Sequence, residues 1–266
     1  MMHPLYQPVL DLMLLVARDI MMPRYRKLAA HEYAEKTPGD FVTIVDRESE
    51  ALLSAELAKL LPGARIIGEE AAAIDPSIVD RVGEGVAWII DPLDGTNNFT
   101  EGKSPFAIMI GLSIEGAREA GWILDPVTNR VCHALRGGGC FIDGERAHAN
   151  VAVTGALPKA AIATYFMPEE RQVDVRRRAA GKIEIVDIPR CAGEQYPRLI
   201  LGQNDIVLFE RTQVWDHAPG ALMLEEAGGK IARNDGAPYE LAVAGVGAIA
   251  ANSSAMWDLA KAVLFD

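Results

Sequence analysis

Trp88-Ile89-Ile90-Asp91-Pro92-Leu93-Asp94-Gly95-Thr96-Asn97-Asn98-Phe99 reads as an apolar strand, a proline-fixed turn and a short run suited to opening a helix. Pro92 fixes its own φ and disfavours helix at Asp91, so the chain turns just after the strand and can bring Asp91 and Asp94 to one side of the loop. Two hard oxygen ligands then converge with the Leu93 carbonyl between them, the kind of donor set that Mg²⁺ prefers. Gly95 and Thr96, if they open a helix, present free N–H groups to a phosphate. The same residues also suit a plain turn with a capped helix, because Asp-Pro and Asp-Gly pairs are common turn formers.

Other carboxylates at element boundaries favour a site. Strands over residues 64–68 and 86–90 deliver Glu69 and Glu70, then Asp91, and Asp216 stands where a helix over 216–227 begins. Each has a plainer role available: Asp216 as a helix cap, Glu70 as a solvated neighbour of Glu69.

Upstream, apolar residues at helical spacing from Leu5 to Met21 predict an amphipathic helix over 4–27, interrupted or ended at Pro23. A loop holding Lys36, Pro38 and Gly39 leads to the apolar run 41–45. Asp46 follows as an N-cap type residue for a helix over 47–61 that stops at Pro62-Gly63. Residues 106–114, 119–124 and 130–135 read as an antiparallel meander. Beyond Asn150 the reading is strands at 160–165, 182–186, 205–209 and 246–251. They are interleaved with helices at 193–201, 216–227 and 253–264, the second stopping at Gly228-Gly229. The chain thus divides into an α+β half, 1–150, with the antiparallel sheet and most of the candidate metal ligands, and an α/β half, 151–266, expected to complete the site and form the substrate pocket. The two form one continuous structural unit, since no linker separates them.

The 266 residues and a hydrophobic fraction of 50% suffice for a large ordered core, and the net charge of -11 disfavours a nucleic-acid partner. Cys132, Cys140 and Cys191 have no disulfide or metal-ligand spacing and read as buried thiols. No stretch approaches the roughly 18 apolar residues of a membrane helix, so a cytoplasmic location with no membrane partner is expected.

Four blocks in order resemble the inositol monophosphatase-like, Mg²⁺-dependent, lithium-sensitive phosphatases over nearly the whole chain. They are Gly39-Asp40-Phe41-Val42-Thr43-Ile44-Val45-Asp46, then Ile67-Gly68-Glu69-Glu70, then Trp88 to Phe99. The fourth is Trp215-Asp216-His217-Ala218-Pro219-Gly220, with Glu225, Ala227, Gly228 and Gly229 behind it. The resemblance implies a mixed α/β, layered αβαβα sugar-phosphatase fold, usually a homodimer. It implies that Glu69, Asp91, the Leu93 carbonyl, Asp94 and Asp216 hold two or three Mg²⁺ ions, and that Li⁺ inhibits. Glu69 and Thr96 would orient the attacking water, Asp46 would support Thr96, and Lys36 sits where the family often keeps a lysine. The Gly95 and Thr96 amides, with Asp94 and Asp216, would hold the substrate. The plainer readings are a helix cap for Asp46 and a solvated loop charge for Lys36. His217 reads as packing beside Asp216.

The substrate half departs from the family. Where the pattern has Gly, then Ser or Thr, then Ala, this chain has Gly193-Glu194-Gln195. Seven residues before Asp216, where inositol phosphatases keep a hydroxyl-binding glutamate, stands Phe209. Glu210, one later, would point the other way on a strand. Gly193, Arg190, Glu194, Tyr196 and Arg211 are the candidates for a rewritten leaving-group pocket, and Arg190 and Arg211 equally suit surface or dimer salt bridges. The expected function is hydrolysis of a small phosphomonoester: inositol monophosphate, a sugar phosphate, or a polyol or amino-alcohol phosphate. The alternatives are histidinol phosphate and a 3′(2′),5′-bisphosphate nucleotide, the latter read on Tyr165, Phe166 or Tyr196. A regulatory protein- or RNA-binding member of the fold is the reading from another class.

Overall fold

The computed structural model describes residues 3–37, 40–149, 155–164, 167–243 and 246–266. Pro38, Gly39, Asn150, Tyr165 and Phe166, named above, lie outside the described residues. In chain order the elements are α1 (Tyr6–Val16), a π-helical turn (Ala17–Met21), α2 (Met22–Arg24), β1 (Tyr33–Thr37), β2 (Asp40–Thr43), α3 (Ile44–Leu60), β3 (Arg65–Gly68), α4 (Glu69–Ile74) and α5 (Ser77–Asp80). Then come β4 (Val86–Asp94), α6 (Thr96–Thr100), β5 (Ala107–Ile114), β6 (Ala117–Leu124), β7 (Val131–Leu135), β8 (Gly139–Ile142) and β9 (Glu145–Ala147). The second half holds β10 (Lys159–Ile162), α7 (Glu169–Ala179), β11 (Glu184–Val186), α8 (Ala192–Ile200), β12 (Ile206–Phe209), α9 (Val214–Glu226), β13 (Lys230–Arg233), β14 (Ala248–Ala251) and α10 (Ser254–Leu264).

Strands β3 to β9 form a seven-stranded sheet in sequence order, antiparallel except for the parallel β3–β4 pair. A five-stranded sheet has the order β11-β10-β12-β14-β13, with its first three strands parallel. Strand β4 explains why the first sheet is covered on both faces. Its Ala87 and Ile89 pack with Met109, Ile123 and the residues of α8 and α9, while Trp88 and Ile90 pack with Val9, Met13 and Leu53 of α1 and α3. Near-continuous apolar strands are what such burial requires. The other side of α8 and α9 meets Ala161, Val207 and Ala250 of the second sheet. Its far face carries Ile162, Leu208 and Ile249 against Val175, Trp257 and Leu264 of α7 and α10. The layers therefore run α, β, α, β, α, as the resemblance implied.

Several local expectations need correction. Pro23 does not stop the first helix; it sits early in α2, where a missing N–H costs little, and the chain leaves the helix at Tyr25. Lys36 is on β1 of a hairpin paired with β2, not in a loop. Thr43, not Asp46, caps α3: the Thr43 hydroxyl accepts from the Val45 and Asp46 amides, and Asp46, at the third helical position, returns a bond to the Thr43 amide. Asp216 likewise stands inside α9, whose cap is Gln213 without a side-chain bond. Besides β1, the elements α4, α5, α7, β8, β9 and β13 were not read from the sequence.

Candidate functional site

Residues three apart on a regular strand point to opposite faces. Asp91 and Asp94 nevertheless line the same cavity, because β4 does not end at Ile90 but continues through a bulge. Asp91 pairs with Met109 and Asp94 with Ala107, so Pro92 and Leu93 together oppose Ile108 alone. The extra residue restores the common side. Gly95 then takes φ +86°, which any Cβ would resist; a Cβ there would also meet the Pro105 carbonyl oxygen at 3.0 Å.

The cavity, about 660 Å³, is lined by Glu69, Asp91, Leu93, Asp94, Gly95, Thr96 and Asp216. Four carboxylates come from three elements: Glu69 opens α4, Asp91 and Asp94 flank the bulge of β4, and Asp216 lies in the first turn of α9. Helix α9 is brought close by a hollow in the sheet. Gly111 and Gly121 are cross-strand partners beneath Ala218 and Pro219, and a Cβ on Gly121 would stand 2.8 Å from the Pro219 Cα.

Each carboxylate is held locally. Asp91 Oδ1 accepts the Leu93 amide at 3.0 Å. Asp94 Oδ2 accepts the Gly193 amide at 2.6 Å and the Cys191 thiol at 3.0 Å. Glu69 accepts from Lys36 Nζ at 3.1 Å, and Glu70 from the same ammonium at 2.5 Å. Burial alone would lower the Lys36 pKa, but the two glutamates more than offset it and raise it. Lys36 is thus a charge partner of the cluster rather than a solvated loop residue.

Thr96 Oγ1 lies 2.8 Å from the Leu93 carbonyl and 3.1 Å from Asp46 Oδ1, one proton between two acceptors. Asp46 is fully buried and outside the cavity lining; it reaches the site by its bond from Thr96 and by its charge, which helps to raise Glu69 and Asp91.

Electrostatics show how strained this cluster is without cations. Burial pushes Asp91 well above the carboxylate range, and the charges of Glu69, Asp94 and Asp216 push it further. Burial likewise raises Glu69, against the opposing effect of Lys36. Burial raises Asp94 too, partly offset by its Cys191 and Gly193 bonds, and pushes Asp46 up to about 6. Among the described residues no three His, Cys, Asp or Glu side chains stand ready-grouped around one point, which matches the separate local partners above. The donor chemistry nonetheless fits a hard divalent ion: four carboxylates and a carbonyl, close enough to raise one another's pKa.

A carboxylate with a higher pKa in the folded chain favours folding below its unfolded value, and that contribution is lost as pH rises through the folded value. In chelator these carboxylates should therefore lower the urea midpoint as pH rises from about 4 through about 6 and beyond, the Asp46 part being about 3 kcal/mol. The buried His133 and His217, held down at about 4, push it up until about pH 6.5, so the net fall is read above pH 6.5. Added Mg²⁺ should restore most of the loss at pH 8. A midpoint that rises above about pH 6.5 would contradict the charge balance described.

Glu50, not read from the sequence, supports Glu69. Its two carboxylate oxygens accept the Glu70 and Ala71 amides at 2.8 Å each, and they occupy the space where a Gly68 Cβ would stand. Glu50→Gln replaces one acceptor by a donor facing an amide. It should cost about 1–2 kcal/mol in a denaturation curve and raise the Mg²⁺ concentration giving half-maximal turnover; an unchanged Mg²⁺ response would remove Glu50 from the support of Glu69.

The leaving-group side corrects three readings. Glu194 does not face the cavity: it pairs with Arg130 and, at 2.7 Å, with Arg198. Tyr196 is fully buried outside the lining, its hydroxyl 2.9 Å from His217 Nδ1, so it is no adenine platform. Glu210, expected to point away, lines the cavity, because β12 ends at Phe209 and strand alternation no longer applies; Arg171 holds it at 3.4 Å. Gly193 reaches the site only through its amide on Asp94, while Arg190 and Arg211 do line the cavity. Burial holds His217 down at about 4 and pushes the Cys132 and Cys140 thiols up to about 12, which suits none of them for chemistry at neutral pH.

The sequence profile of the inositol monophosphatase family matches residues 2–264. The protein named Nus factor SuhB from Pseudomonas aeruginosa is 32% identical over 237 residues, 85% of each chain. Inositol-1-monophosphatase from Bacillus subtilis is 30% identical over 210 residues, 77% of each chain. Among solved structures, the extragenic suppressor protein suhB from Bartonella henselae superposes with a TM-score of 0.83 at 24% identity, covering 98% of both chains. Inositol monophosphatase II from Staphylococcus aureus gives 0.80 at 22% identity, covering 98% of this chain and 93% of that one. With a match running from end to end and the fold shared, the chain belongs to the inositol monophosphatase family.

Proposed function

We propose that the chain hydrolyses a small phosphomonoester in a Mg²⁺-dependent reaction, with Glu69, Asp91, Asp94, Asp216 and the Leu93 carbonyl holding the ions. The observation that carries this reading is the meeting of four carboxylates from three elements on one cavity beside Thr96. Family membership supports it, as does 30% identity to a relative named inositol-1-monophosphatase.

Mg²⁺ bound there would supply neutralisation of the phosphate oxygens and a lowered pKa for the attacking water. The chain's own residues do the rest. The Thr96 backbone N–H would face a phosphate oxygen, with the Gly95 N–H beside it bonded to the Asp94 carboxylate. Thr96 Oγ1 directs its proton to Asp46 or Leu93 and so keeps a lone pair to accept from the water. Glu69 stands ready to take the water proton, its orientation set by Lys36 and the Glu50-held start of α4. No covalent phosphoenzyme is required, which fits Cys132, Cys140 and His217 buried away from useful pKa values.

Release of inorganic phosphate from a panel of inositol, sugar, polyol and amino-alcohol monophosphates and 3′-phosphorylated nucleotides, with Mg²⁺ and with chelator, tests the reading. Turnover of at least one ester only with Mg²⁺ supports it. No turnover of any ester by folded protein sinks it. A second reading, a protein-binding role, has the name Nus factor SuhB of the 32% identical relative behind it. A partner retained in a pull-down by Asp94→Asn would favour that role alongside the chemistry.

A further inference from the structure

The cavity wall holds a polar side chain that the fold leaves without a partner. Gln195 lies in the first turns of α8 and is 3% exposed, and neither its carbonyl oxygen nor its amide nitrogen has a hydrogen-bond partner. It lines the cavity with Val207, Phe209 and Ala163, which offer only apolar side chains. It lies two residues after Gly193, whose amide fixes Asp94. An amide shut away without partners is destabilising, and folding alone would favour an apolar residue of the same size there.

We propose that Gln195 is a specificity-determining residue whose carboxamide hydrogen-bonds a hydroxyl of the departing alcohol, selecting a polyol or sugar leaving group. The chemistry of the group narrows the class. A carboxamide is neutral and offers one acceptor and two donors, which complements a hydroxyl, itself donor and acceptor. An ammonium would pair better with a carboxylate free of a cation: Glu194 is turned away to Arg130 and Arg198, and the charge of Glu210 is met by Arg171 at 3.4 Å. Glu210, which lines the same cavity, keeps Oε2 unpartnered and adds a second acceptor for hydroxyl protons. The amide is enclosed by the wall, so the binding step includes a turn about the Gln195 side-chain torsions. Helix α8 stays in place, since Gly193 must go on holding Asp94.

This inference rests on the phosphomonoesterase reading, and its test separates the two. Wild type, Gln195→Leu and Gln195→Asn are assayed with Mg²⁺ on myo-inositol 1-phosphate, glycerol 2-phosphate and glucose 6-phosphate. Cyclohexyl phosphate, a ring without further hydroxyls, is the comparison. Wild type should prefer at least one hydroxylated ester. Gln195→Leu should lose about tenfold in kcat/KM on that ester with cyclohexyl phosphate changed less than threefold, and Gln195→Asn should recover part of the loss. Gln195→Leu should also be at least as stable as wild type in urea, because it removes an unpaired buried amide. Equal loss on both ester types, no loss on the hydroxylated ester, or no wild-type preference for hydroxylated esters would each overturn the inference while leaving the phosphatase reading standing. Absence of turnover on every ester would instead remove that reading.

Discussion

Asp94→Asn should lower phosphate release by at least about 10³-fold, a loss of roughly 4 kcal/mol in transition-state stabilisation, with the fold intact. The side chain keeps its shape and one acceptor oxygen, so the 2.6 Å bond from the Gly193 amide and the contact from the Cys191 thiol have a partner in the variant. What is lost is a negative charge at the centre of a carboxylate cluster. Burial opposes that charge in the metal-free chain, so the sign for stability is the reverse of the sign for activity: in chelator the variant should match or exceed wild type in urea. In Mg²⁺ the order should invert, because wild type gains more binding energy. Activity above a tenth of wild type would remove Asp94 from the proposed ion-holding set.

Gly220→Ala should destabilise the protein by about 3 kcal/mol, lowering Tm by roughly 6–10 °C. Helix propensity alone gives the opposite sign, since alanine in a helix interior is favoured over glycine by about 1 kcal/mol. Packing decides: a Cβ on Gly220 would stand inside the ring of Tyr196, which is fully buried and tied to His217. Relief requires α8 and α9 to move apart, and these two helices carry the Gly193 amide and Asp216. Turnover should therefore fall with stability, unlike the Asp94 variant. A thermal scan showing Gly220→Ala within 1 °C of wild type would contradict this packing.

The apolar run ending in Asp91, the meander behind it and the glycine stop after α9 were legible because each is a local pattern: alternation, turn residues, a left-handed C-terminus. Gly228 indeed takes φ +94°. Glu69 and Asp91 follow apolar runs and Asp216 opens a predicted helix, patterns that suit turns and caps as well as a site; it is the family resemblance that groups Glu69, Asp91, Asp94 and Asp216. What the sequence hid was relational. The bulge that turns Asp94 to the side of Asp91 depends on the register with β5. Glu50 sits mid-helix with no motif, and its role follows only from α4 packing over it. Glu194 and Gln195 are adjacent polar residues of the same helix turn. Which of them faces the cavity is settled by Arg130, 64 residues away in sequence, drawing Glu194 outward. Glu210 was misplaced because the strand period was extended one residue past the end of the strand.

Turnover of one phosphomonoester by the metal-stripped protein, followed as Mg²⁺ is added back in ¹⁸O-labelled water, tests the central claim most directly. The account predicts no release in chelator, saturable recovery with Mg²⁺, and one solvent oxygen in the phosphate with none in the alcohol. Undiminished release in chelator, or label in the alcohol, would contradict it.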